Sequence, residues 1–268
     1  MKGNSDKTKK KKYSYKVQKE DVERVLNDRT DFDTIETYKS IRTNIMFSMP
    51  KTEGGKIIAI TSSVPGEGKT TTSINLAITF AQMGAKVLLI DGDLRKPRIH
   101  RYLETDHKNG LTNVLCGFSE FDKAVKIGIR ENLDCLTSGE IPPNPAELLE
   151  NEEFEKLLLE LQGKYDYVFI DTPPMTLVTD AAIVMKHSTG AVVVIRQNIT
   201  RYDMLDVTMD SIGKTGVKVL GLVVLGCEEK IKKYTYYKRR KYAYKNRYKY
   251  GYHYKYDYKY GDDVSEKK

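Results

Sequence analysis

The residues best placed to do chemistry sit together in TSSVPGEGKTTT, 61–72, between an apolar run that reads as a strand and a stretch that reads as the start of a helix. That context is what a phosphate-binding loop requires. Gly66 and Gly68 let backbone N–H groups approach phosphate oxygens, and the helix that follows adds a favourable dipole. Lys69 is positioned to reach β- and γ-phosphates, and the Thr70 hydroxyl is a ligand for Mg²⁺. Glu67 and Thr71 complete the nucleotide-binding stretch. The first glycine of the usual GxxxxGK[ST] pattern is replaced by Ser63. ATP and Mg²⁺ are the cofactors this loop implies.

Three acids belong with it. LLIDGD places Asp91 and Asp93 at the end of a second apolar run, and YVFIDTPP places Asp171 at the end of another. Ligands of open parallel sheets bind at the carboxyl ends of strands, so the three converge on the phosphates. A single acid after a strand usually caps a turn; three in this register behind a phosphate loop point to catalysis. Asp171 fits the strand-then-Asp pattern that holds Mg²⁺, with Thr70 and Asp91 as its companions. Asp91 and Asp93 can divide the work of deprotonating an incoming hydroxyl and supporting the metal. Lys69, Asp91 and Asp93 are therefore the catalytic candidates, with Arg95 and Arg98 as nearby charge-neutralising groups.

The elements that must position these residues are legible as alternation. Strand-like runs occur at 56–61, 86–91, 167–171, 191–196 and 218–225, with a weaker one at 132–137; helices begin near Thr70, Pro145, Asp180 and Arg201. Runs that are apolar throughout indicate strands buried on both faces. Strands alternating with helices give an α/β fold, a mostly parallel central sheet covered by helices on both faces, of the P-loop NTPase type. Ahead of it, Ile35, Tyr38, Ile41, Ile45 and Met49 recur at helical spacing, predicting an amphipathic helix over 33–49 with Asp33 or Thr34 as N-cap. The expected organisation is a basic arm at 1–32, an ATPase or kinase domain at 33–228 and a tail at 229–268.

The tail is compositionally distinct. Twelve tyrosines, Tyr234, Tyr236, Tyr237, Tyr242, Tyr244, Tyr248, Tyr250, Tyr252, Tyr254, Tyr256, Tyr258 and Tyr260, are interleaved with nine Lys/Arg and a single acid, Asp257. Of 45 basic and 37 acidic residues in the chain, this leaves thirty-six of each elsewhere, so the net charge of +8 resides in residues 234–260. With Ala243 as its only aliphatic residue that stretch builds no core. No run of about 18 apolar residues spans a bilayer, and the basic N-terminus has no apolar stretch of a secretory signal behind it. Cys116, Cys135 and Cys227 are widely spaced and odd in number, which reads as reduced core thiols.

Taken in order, these motifs resemble the bacterial tyrosine kinases of capsule and exopolysaccharide export. The resemblance runs from about Glu36 to Gly226 through ETYKSIRTNI (36–45), SSVPGEGKTT, LLIDGDLRKPRIH (88–100), GLTNVL (110–115), GEIPPNPAELL (139–149) and VFIDTPP (168–174), and the tyrosine cluster completes it. It implies a protein-tyrosine kinase that autophosphorylates the twelve tail tyrosines. It also implies a ring-like homo-oligomer assembled through Glu36, Lys39 and Arg42, with Lys39 standing where Arg is usual and giving up bidentate pairing. The implied partners are the cytoplasmic end of a transmembrane polysaccharide co-polymerase, which recruits the cytoplasmic kinase to the inner face of the cell membrane, and a tyrosine phosphatase. No specific nucleic acid is implied. Two other readings exist: a partitioning or septum-positioning ATPase, whose early loop lysine is replaced here by Val64, and a nucleic-acid- or membrane-binding module acting through the basic tail.

Overall fold

The computed structural model of the chain describes residues 22–227. Seven strands form one sheet in the order β3-β4-β2-β5-β1-β6-β7. They are β1 (Lys56–Ser62), β2 (Val87–Asp91), β3 (Lys126–Arg130), β4 (Leu133–Leu136), β5 (Tyr167–Asp171), β6 (Gly190–Arg196) and β7 (Val219–Leu225). Every pairing is parallel except β3 with β4. The expected α/β architecture is observed, and its central strands are buried on both sides. In β1, Ile57 and Ala59 join one core cluster while Ile58 and Ile60 join the other; Leu88 and Ile90 of β2 oppose Val87 and Leu89 in the same way.

Helices cover both faces. Helix α1 is Phe32–Ser48, and α2, Lys69–Ala81, follows the glycine-rich loop; α3 (Ile99–Tyr102), α4 (Leu111–Leu115) and α5 (Phe121–Ala124) are short. They are followed by α6 (Pro145–Glu150), α7 (Glu152–Lys164), α8 (Asp180–Lys186) and α9 (Tyr202–Gly213). Helix α2 is fastened to β5 by Phe80, which meets Tyr167 and Phe169 edge-on at 4.6 and 5.0 Å. Such aromatic pairs add roughly 0.5–1.5 kcal/mol beyond the area they bury.

Several expectations are corrected. Helix α1 begins one residue early because Asp31, rather than Asp33 or Thr34, is the N-cap: its carboxylate accepts from the Thr34 N–H at 2.8 Å and from the Thr34 hydroxyl at 2.7 Å. Strand β3 escaped the sequence reading because KIGIR is an edge strand, half exposed and interrupted by Gly128. The helical stretch from Pro145 is two helices, broken where Asn151 turns extended and starts the second. The arm expected at 1–32 is not peripheral throughout, since Val25 and Leu26 are each 4 % exposed and belong to the core. Of the three thiols Cys135 is buried, whereas Cys116 and Cys227 are exposed. Among the described residues no helix is long and apolar enough to cross a membrane.

Candidate active site

The carboxyl ends of β1, β2 and β5 meet at one point because the three strands are adjacent or one apart and in register. Asp91 of β2 lies opposite Asp171 of β5, and Ile60 of β1 opposite Asp171 on its other side. The chain turns away from β2 through Gly92, whose N–H donates to the Asp171 carbonyl at 2.8 Å. A side chain there would meet Ile170 Cγ2 at 2.8 Å and the Asp171 carbonyl at 2.9 Å. Glycine is thus what lets the two acidic strand ends close on each other.

The phosphate loop is laced to the loop after β5. Thr61 donates its hydroxyl to the Pro173 carbonyl, Thr172 donates to the Ile60 carbonyl, and the Met175 N–H donates to the Ser62 carbonyl, all at 2.9 Å. Ser63, in place of the usual glycine, is buried and its carbonyl accepts from Thr176 at 2.6 Å. Gly68 adopts φ +91°, and a Cβ there would lie 2.6 Å from Leu225 at the end of β7. The positive φ favours glycine, and the Leu225 methyl would have to shift for any larger residue.

Lys69 opens α2 with its ammonium 3.2 Å from Asp93 and 3.3 Å from Asp171. Thr70 donates to Asp171 Oδ2 at 2.7 Å, and Ser73, one turn on, donates to Asp171 Oδ1 at 3.0 Å. Asp91 is fully buried; its Oδ2 accepts from the N–H groups of Arg98 and Ile99 at 3.0 Å, while Oδ1 has no partner among the described residues. Burial lowers the Lys69 pKa, but Asp171, Asp93 and Asp91 outweigh it and hold the ammonium above its usual value. Burial first, then the charges of Asp171 and Asp93, push the Asp91 carboxyl up to about 7. Three acids around one ammonium leave the buried cluster itself short of positive charge, the condition a metal ion relieves.

Lys69, Asp93, Thr70 and Asp171 are therefore brought into direct contact, with Asp91 beside them. Lys69, Thr70 and Asp93 line a cleft of about 430 Å³ together with Gly66, Gly68, Thr71, Arg95, Arg98 and Arg196, and Asp91 and Asp171 lie buried behind them. Glu67 departs from the sequence expectation. Its side chain is wholly buried, accepting from the Val64 N–H at 2.8 Å and from the Thr200 hydroxyl, so it braces the loop. Arg95 forms a two-pronged pair with the buried Asp180 at 2.8 and 2.9 Å, tying the loop after β2 to α8. The oligomerisation candidates are on α1, away from this cluster. Glu36 and Lys39 pair with each other at 2.8 Å, and Arg42 donates to the Thr79 carbonyl of α2 at 2.7 Å. The tail tyrosines lie outside the described residues.

Ser73, Gly92, Thr200 and Asp180 were not singled out by sequence. Ser73 alone carried a usable signal, since a hydroxyl one turn after Lys69 shares the face that meets β5.

The sequence profile of the AAA domain family matches residues 55–208. Tyrosine-protein kinase YwqD of Bacillus subtilis is 43 % identical over 202 residues, covering 75 % of this chain and 84 % of that protein. The chain belongs to the bacterial tyrosine kinase family. Among solved structures, the kinase domain of Escherichia coli tyrosine kinase ETK superposes with a TM-score of 0.69 at 32 % identity, over 83 % of this chain and 80 % of that one. The septum site-determining protein MinD of Pyrococcus horikoshii, complexed with Mg-ADP, matches at TM-score 0.55 and 30 % identity, over 63 % of this chain and 70 % of that one. The tyrosine kinases and the septum-positioning ATPases thus share the P-loop scaffold. This tyrosine kinase parts from the latter at Val64, where the signature lysine of that group is missing.

Proposed function

We propose that this tyrosine kinase transfers the γ-phosphoryl group of ATP to tyrosines of its own C-terminal tail, in trans within a ring-like oligomer, and so regulates capsule or exopolysaccharide polymerisation and export. The observation that carries it is the meeting of Lys69, Thr70, Asp93 and Asp171 beside the phosphate loop, in a chain whose tail holds twelve tyrosines. Phosphoryl transfer needs positioning and charge neutralisation more than covalent help. Lys69, kept protonated by its neighbours, supplies charge to the β- and γ-phosphates. Asp91, with an oxygen unpartnered and a pKa near neutrality, suits the acceptance of a tyrosine proton.

The donors suit Mg²⁺, a hard cation that takes few protein ligands and completes its shell with phosphate oxygens and water. Thr70 and Asp171 would hold it, with Asp91 in reach; when bound it neutralises charge developing on the transferred group. The proposed partners are the cytoplasmic end of a transmembrane co-polymerase, which brings the kinase to the inner face of the membrane, and a tyrosine phosphatase.

The test mixes two variants. An all-Phe tail form, with all twelve tyrosines replaced, serves as enzyme, and a Lys69→Met form serves as substrate, both with labelled ATP. Label on tyrosines of the Lys69→Met chain supports transfer in trans. Label absent from that mixture but present on the unmodified protein would overturn it.

A further inference from the structure

Residues 22–27 belong to no motif, and their composition suggested an arm, yet they are held against the phosphate-loop helix by a built contact. Asn75 of α2 is 1 % exposed. Its Oδ1 accepts from the Leu26 N–H at 2.9 Å and its Nδ2 donates to the Arg24 carbonyl at 3.0 Å. A buried amide satisfied at both ends by backbone two residues apart fixes the course of that backbone. Val25 and Leu26 reinforce it by sinking into the core on the α2 side of the sheet.

Asn75 lies one helical turn beyond Thr71, on the same face. The clip therefore places residue 24 beside the loop, and Arg24 lines the same cleft as Gly66, Lys69 and Thr71. A guanidinium delivered there by a fixed backbone is a phosphate-binding device: permanently charged, planar and able to donate to two oxygens at once.

We propose that Arg24 contacts the phosphates of the bound nucleotide and that the Asn75 clip positions it for that contact. The inference rests on the nucleotide site described above but not on the identity of the phosphoryl acceptor. It makes the segment ahead of the domain part of the site.

Calorimetric titration of the full chain with Mg-ATP tests it, alongside steady-state phosphorylation. Arg24→Ala is expected to raise the Kd and the KM for ATP roughly tenfold, the scale of one charge-assisted hydrogen bond, with a smaller change in the KM for a tyrosine peptide. Arg24→Lys recovers part of the loss. Asn75→Ala weakens ATP in the same direction, and adding it to Arg24→Ala costs little more. An Arg24→Ala protein that binds ATP as the unmodified chain does would overturn the proposal. So would an Asn75→Ala effect of equal size in both backgrounds, since the clip would then act without Arg24. Arg24→Ala is a surface change, so its result stands even if Asn75→Ala melts early. Lys69→Met is the separate control: unaltered transfer in that variant means the nucleotide site itself is misassigned.

Discussion

Lys69 and the three acids form one electrostatic unit, so single changes there have predictable signs. Lys69→Met removes the cation facing Asp93 and Asp171. Phosphotyrosine formation should fall below detection, while the circular dichroism spectrum stays native because the buried carboxyls can take up a proton instead. Asp91 makes a sharper case. Its folded pKa of about 7 stands above the ordinary carboxyl value of 3.8, so the folded state holds a proton that the unfolded chain releases. The associated stability is fully present below pH 4 and is lost as pH climbs through about 7. Asp91→Asn keeps an oxygen for the Arg98 and Ile99 N–H groups and cannot ionise. In metal- and nucleotide-free protein its melting advantage over the parent should therefore be small at pH 5 and larger at pH 8, while transfer falls by at least ~100-fold. Melting curves at the two pH values check this; equal losses of stability and rate would mark the residue as structural. The meeting of Lys69, Thr70, Asp93 and Asp171 was legible because two open the helix after a phosphate loop and two lie at or just past the ends of neighbouring parallel strands. The inward turn of Glu67 was not, because its partner Thr200 is 133 residues away.

Loops set the site's shape, and two side-chain bridges join them. Glu67 links the phosphate loop to the turn before α9, and Arg95 links the loop after β2 to α8. Arg95→Ala strands the buried Asp180 carboxylate. Because the Arg95 side chain is 39 % exposed, solvent screens the pair, and the cost should be about 1–3 kcal/mol rather than that of a dry ion pair. Denaturant titration measures it, and Asp180→Asn in the same background should return part of the loss. Gly92→Ala has no such remedy: its Cβ would press on the Asp171 backbone, forcing β2 and β5 apart at the catalytic end, so activity should fall further than stability. The central strands were readable because continuous apolar runs mean two-sided burial. β3 was not, since a half-exposed antiparallel edge carries little pattern, and the Asn75 clip was not, since it joins residues 49 apart.

At the scale of the whole molecule, acidic and basic groups are sorted by depth around the site. The strand-end acids, 0 to 6 % exposed, are enclosed, and the cleft around them is lined by Arg24, Arg95, Lys96, Arg98 and Arg196. The charge presented at the mouth of the cleft is thus positive rather than negative. ATP, bringing several negative charges, should bind before the tail, and acceptor KM should fall as nucleotide saturates the cleft. Each phosphate then adds roughly −1.5 to −2, so about five cancel the tail's excess of +8 and further ones reverse it. Sizing the protein before and after ATP treatment, beside the all-Phe tail variant, checks whether assembly loosens with accumulated charge. An unchanged size after full phosphorylation would refute it.

Leu225, the last residue of β7, packs against Gly68, so the chain departs for its tail from the rim of the phosphate loop. Tyr234 follows nine residues later, a leash of at most ~30 Å when fully extended. A tethered group keeps a local concentration of order millimolar however far the protein is diluted. On the proposed reading, assembly would present each site with neighbouring tails at a concentration set by their covalent attachment to the ring. If transfer runs in trans as proposed, the angle between neighbouring subunits would set which tyrosine is reached, and a partner that turns subunits would alter the rate without gathering more of them.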